Sequence, residues 1–159
     1  MPLAGDRKPA PLLVTDFWES MPRFSPDGKW FAYSSNESGS FEVYVRSLEK
    51  GVKVRVSTKG GAIPVWRADG RELFYEEAGP MVMASEVQLG NAAAASPPKV
   101  LFRSCLAENS GDYLGRPGYD VTKDGRRFIF SCLAEGTHRR ALSVAIGWQQ
   151  SVKWPGARP

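Results

Sequence analysis

Histidine and cysteine are scarce in this chain: His138 is the sole imidazole, and Cys105 and Cys132 are the only thiols among 159 residues. That scarcity, with no Cys-x-x-Cys pair, excludes a structural zinc site, which needs about four closely spaced nitrogen or sulfur ligands. No apolar run approaches the roughly 18 residues of a membrane helix, so no membrane span is expected. The first eight residues, Met1 to Lys8, lack the apolar centre of a signal peptide. A chain complete as written is expected in the cytoplasm; as part of a larger protein, a periplasmic or other extracytoplasmic place is expected. Apolar residues nowhere recur at helical spacing over the length of a helix.

Several chemistries lack their residues. There is no Gly-x-Ser-x-Gly elbow for a serine hydrolase, no Gly-x-x-x-x-Gly-Lys phosphate loop and no kinase motif. His138 falls in a turn beside Arg139-Arg140 and is expected to be exposed rather than part of a triad. A glycosidase needs two facing carboxylates. Glu76-Glu77 and Asp112 are acidic, but are expected to be solvated in loops. The net charge of +4 is spread along the chain. Adjacent basic pairs occur only at Arg7-Lys8, Arg126-Arg127 and Arg139-Arg140, so a nucleic-acid partner is not expected. Cys105 and Cys132 each sit in the string Ser-Cys-Leu-Ala-Glu. Both are expected as small buried residues at strand ends, with a disulfide between them the open alternative.

Turn formers, by contrast, are abundant: 16 Gly and 12 Pro. The stretch Pro22-Arg23-Phe24-Ser25-Pro26-Asp27-Gly28-Lys29-Trp30-Phe31-Ala32-Tyr33 reads as strand, tight turn, strand. Proline at the second turn position suits a type I turn, and glycine follows where φ turns positive. The unit recurs. Pro64-Val65-Trp66 with Asp69-Gly70 and Leu73-Phe74-Tyr75 is a second copy, and Tyr119-Asp120-Val121 with Asp124-Gly125 and Phe128-Ile129-Phe130 is a third. The turn aspartates Asp27, Asp69 and Asp124 lie 42 and 55 residues apart. Their place in a turn explains them through local hydrogen bonds, so they are not expected to bind a metal.

Each copy leads into further alternating segments, Phe41–Arg46 and Val52–Ser57 in the first and Met81–Val87 and Lys99–Arg103 in the second. In the third, Ala141–Ile146 follows, with no convincing fourth strand. A period near forty with four strands per unit is the pattern of propeller blades. The second strand of every copy is apolar at consecutive positions, as expected where both faces of a small sheet are covered by neighbours. An immunoglobulin-like sandwich is the main rival, but gives no reason for a repeated turn.

The stretch 22–33, with Asn36-Glu37-Ser38-Gly39, Glu42-Val43-Tyr44-Val45 and Tyr119-Asp120-Val121-Thr122, resembles the TolB-type, WD-like propeller repeat. It is similar above all to the C-terminal blades of bacterial proteins that join a serine/threonine kinase or DNA-binding domain to a propeller. Ala68 and Lys123 depart from the repeat, replacing the turn proline.

The resemblance implies an all-β chain, an open arc of about three four-stranded antiparallel blades plus one leading strand. Residues 1–17 would hold the last strand of a preceding blade, 18–61 blade 1, 62–104 blade 2 and 105–153 blade 3, with 154–159 a disordered tail. It further implies a non-catalytic segment, a protein- or ligand-binding scaffold of a larger sensor or transport-linked protein, with no cofactor. The alternative is the gating propeller of a prolyl-oligopeptidase-type peptidase without its catalytic domain. Arg23, Arg67 and Asp120 are the candidate channel or rim contacts for a ligand. Asp27, Gly28, Asp69, Gly70, Asp124 and Gly125 are expected to be structural turn residues.

Overall fold

The computed structural model of the chain describes residues 11–77, 81–105, 118–133 and 140–146. They form three antiparallel sheets. The first runs in the order β1 (Glu19–Phe24), β2 (Trp30–Ser35), β3 (Glu42–Ser47) and β4 (Lys53–Arg55). The second contains β5 (Ala62–Trp66), β6 (Glu72–Glu77), β7 (Met81–Gln88), β8 (Ala94–Ala95) and β9 (Lys99–Arg103), with both β8 and β9 pairing with β7. The third is β10 (Tyr119–Val121), β11 (Arg127–Leu133) and β12 (Arg140–Ile146). These sheets, of four, five and three strands among the described residues, are blades 1, 2 and 3.

The hairpin between the first two strands of each blade is built identically. The amide of Gly28 donates to the carbonyl of Ser25 at 2.9 Å, that of Gly70 to Arg67 at 2.9 Å and that of Gly125 to Thr122 at 2.8 Å. The three glycines have φ of 69°, 69° and 73°, a left-handed conformation that costs a residue with a Cβ about 1 kcal/mol. The aspartate before each glycine accepts from the amide two residues on, at 3.1 Å in Lys29, 3.1 Å in Arg71 and 3.0 Å in Arg126. These are Asx turns.

Successive blades stack face to face. Leu73 and Tyr75 of β6 enter a core with Ala32, Val43, Val45 and Val56 of blade 1. At the repeat-equivalent positions, Phe128 and Phe130 of β11 pack on Phe74, Val82 and Ala84 of blade 2. Edge-to-face contacts link Phe128 to Phe74 at 5.1 Å and to Phe102 at 5.2 Å. Two covered faces explain the consecutive apolar residues: β2 is buried along its whole length, and Leu73 to Glu76 are buried in β6. Ile129 departs from this pattern and is 40% exposed, because no further sheet covers that face among the described residues.

The structure corrects several expectations. Pro11–Phe17 is not a strand. A strand needs a hydrogen-bonded neighbour, and none of the described residues supplies one; Leu13 instead packs on Phe31, Tyr33 and Tyr44. Between the expected segments Met81–Val87 and Lys99–Arg103 lies a further short strand, β8, which pairs Ala95 with Val87 and Ala94 with Gln88. Cys105 and Cys132 form a disulfide, with their Cα atoms 5.7 Å apart. Cys105 follows the strand β9 of blade 2 and Cys132 lies on β11, so the packing of the two blades brings the sulfurs together. Glu76 is not solvated but 6% exposed, within β6. His138, Arg139, Asp112, Arg7-Lys8 and the tail 154–159 lie outside the described residues.

Candidate functional site at the inner strands

The first strand of each blade carries one residue four positions before the turn aspartate: Arg23, Val65 and Asp120. All three line one concave cavity of about 300 Å³, with Tyr119, Ile129 and Leu142 among its other walls. A cation and an anion from blades 1 and 3 therefore face the same space, with an apolar Val65 from the blade between them.

The backbone beneath this cavity is fixed by irregular strands. The pairing of β1 with β2 slips between Ser20 and Arg23, and that of β5 with β6 slips between Ala62 and Val65. At the slips Met21 and Ile63 take φ of 55° and 54°, conformations that cost a side chain such as these about 1–3 kcal/mol. Each precedes a proline, Pro22 or Pro64, and both are buried. Such bulges bend a strand and redirect its side chains. Neighbouring blades hold the bent segments. The Trp66 indole donates Nε1–H to the Arg23 carbonyl at 3.1 Å, and the Tyr119 hydroxyl donates to the Ile63 carbonyl at 2.9 Å. Burial, with the nearby charge of Glu76, pushes the Tyr119 hydroxyl well above its usual pKa, so it stays a donor.

Arg23 donates from Nη1 to the Pro22 carbonyl at 3.1 Å, and Asp120 accepts from the amide of Val121 at 2.8 Å. Arg67 stands apart. Its register position is that of Ser25 and Thr122, two residues before the turn aspartate. Nε donates to Asp69 Oδ1 at 2.9 Å, Nη2 to Asp69 Oδ2 at 2.7 Å and Nη1 to Glu72 Oε2 at 2.6 Å. The two carboxylates raise the pKa of the guanidinium, and Arg67 in turn lowers that of Asp69. Ser25 and Thr122 do the same with less, donating to Asp27 at 2.6 Å and to Asp124 at 2.5 Å. Arg67 closes a turn and borders a separate rim groove with Pro26 and Asp27.

Glu76, expected in a solvated loop, lies buried on β6. It shares a strand face with Phe74, the face turned toward blade 3, and burial pushes its carboxyl up to about 7. Its signal lay in its neighbours: Leu73-Phe74-Tyr75 is a buried run, and a residue continuing that strand is buried with it.

The three stacked sheets, with inner strands turned toward a shared cavity, define a segment of a β-propeller. Solved propeller structures share this fold. The chain superposes on TolB from Acinetobacter baumannii with a TM-score of 0.55 and 19% identity, over 79% of this chain and 29% of that one. With putative TolB from Agrobacterium tumefaciens the TM-score is 0.56 at 15% identity, over 84% of this chain and 47% of that one. An oligogalacturonate lyase from Vibrio parahaemolyticus gives 0.52 at 16% identity, over 75% and 31%. At these identities the likeness is one of fold, and the chain spans less than half the length of each. No family model and no curated protein matches its sequence.

Proposed function

We propose that the chain is a non-catalytic recognition segment, which binds a peptide portion of a partner protein at its inner strands. The observation that carries this reading is the convergence of Arg23 and Asp120 on one cavity with the apolar Val65. Neither side chain is used to build a turn, whereas Arg67, Asp27, Asp69 and Asp124 all are. A carboxylate of the peptide meets Arg23, a cationic group meets Asp120, and an apolar side chain lies over Val65. In this reading the parent is a larger sensor or transport-linked protein. The Cys105–Cys132 disulfide favours an extracytoplasmic setting, where such bonds persist.

Amide NMR spectra of the chain, titrated with a pool of short peptides bearing both acidic and basic side chains, test the proposal. Shifts are expected at Arg23, Val65 and Asp120, and they should vanish in Arg23→Glu while the remaining spectrum is unchanged. Shifts confined to the rim turns, or none, would remove the inner strands as the binding site.

A further inference from the structure

The two ends of the arc carry complementary halves of one interface. Blade 3 ends in an uncovered face: Ile129, Leu142 and Val144 are 40%, 75% and 51% exposed. Ile129 pairs with Val144 across β11 and β12 just as Ala32 pairs with Val45 across β2 and β3. By the same register Leu142 corresponds to Val43. In blade 1 those counterparts, Ala32, Val43 and Val45, are fully buried because blade 2 sits on them. The face of blade 3 is therefore built to receive another blade.

Blade 1 presents the other half. Phe31 and Tyr33 occupy the positions of Leu73 and Tyr75, which in blade 2 press into blade 1. Beside Phe31 and Tyr33 lies an apolar cavity of about 360 Å³, walled also by Leu12, Leu13 and Phe24. Phe24, at the position of the buried Trp66, is 66% exposed.

A strand is also missing on one side and spare on the other. Among the described residues blade 3 has three strands, and β12 carries no partner on its outer edge. Residues 11–17 stand 42 positions before 53–59, which contain β4, the fourth strand of blade 1. In that register Leu12 and Val14 take the places of Val54 and Val56, which pack into the interface between blades 1 and 2. Here they are 54% and 78% exposed while Leu13 faces inward. A strand that shifts by one residue exchanges its two faces, so pairing with a blade would bury Leu12 and Val14 together.

We propose that the chain pairs head to tail with a second copy of itself. Residues 11–15 of each copy add to β12 of the other as its fourth strand, and blade 3 of each fills the cavity on blade 1 of the other. Val54 pairs with Val45 in blade 1, so Leu12 of one copy lies opposite Val144 of the other. Two identical interfaces close the assembly, giving six blades from two sets of three sheets, within the roughly four to eight of known propellers.

Light scattering coupled to size exclusion at micromolar concentration should give twice the 17.5 kDa mass of the chain. Val144→Asp should return it to a monomer. Leu12→Asp should do the same, and because Leu12 is exposed outside the strands of its own chain, this variant keeps its fold. The pair Leu12→Cys with Val144→Cys should yield a covalent dimer on mild oxidation. A monomeric wild-type chain, an open series of larger oligomers, or a dimer indifferent to Leu12→Asp would each overturn the proposal.

Discussion

The turn glycine of blade 3, Gly125, rests on the side chain of Arg67 from blade 2: a Cβ placed on Gly125 would lie 3.0 Å from Arg67 Cδ. The same Cβ would lie 3.1 Å from Phe74 Cζ. The turns thus nest from blade to blade. Gly70 stands in the corresponding place, 3.6 Å from Pro26 Cδ by the same measure, whereas a Cβ on Gly28 meets nothing within 4 Å.

Three glycines with nearly the same φ therefore separate backbone strain from packing. Gly28→Ala should cost only the left-handed conformation, about 1 kcal/mol. Gly125→Ala should cost about 2–4 kcal/mol, since the added methyl also displaces Arg67 or Phe74. Urea denaturation of the two variants checks this. Equal losses would mean that the turns do not bear on one another.

Loss of the Cys105–Cys132 bond should loosen blade 3 from blade 2. The bond closes a loop across a separation of 27 residues, for which chain entropy gives about 3.5 kcal/mol. In the double variant Cys105→Ala with Cys132→Ala, hydrogen exchange should speed up in β10 to β12 while β2 and β3 keep their protection. Uniform acceleration across all three sheets would show instead that the arc unfolds as one unit.

Much of the fold was legible because its governing features are local. The Asp-Gly turns, the flanking apolar runs and the interval of 42 residues lie within single hairpins or adjacent blades. What was hidden depends on packing between blades. The disulfide joins residues whose sheets meet only after stacking. Pro11–Phe17 has the composition of a strand, but strand formation needs a neighbour that the sequence pattern alone cannot supply. Within the site, the repeat pattern puts Arg23 and Asp120 on the first strands of their blades, and both line one cavity. Arg67 follows a first strand in the same pattern, but a cation there looks alike in sequence whether it faces that cavity or folds back on its own turn. Its bonds to Asp69 and Glu72 make the distinction, and they leave it at the rim groove.

Glu76 makes the stability of the chain depend on pH near neutrality. Its carboxyl titrates at about 7 in the folded chain because burial disfavours the charged form, against an ordinary value of 4.5. Between these values the unfolded chain has released the proton and the folded chain retains it. The contribution of Glu76 to stability is therefore greatest below about pH 4.5, falls as pH rises, and levels off above about 7, a loss on the order of 3 kcal/mol. The turn aspartates Asp27, Asp69 and Asp124 have lowered values, through Ser25, Arg67 and Thr122 respectively, so their effect falls below pH 3.8 and leaves this window clear. The urea midpoint of the wild-type chain should decline from pH 5 to pH 8, and that of Glu76→Gln should stay nearly level. Gln keeps the shape and cannot ionise. A parallel decline in both proteins would place the titrating group elsewhere than on β6.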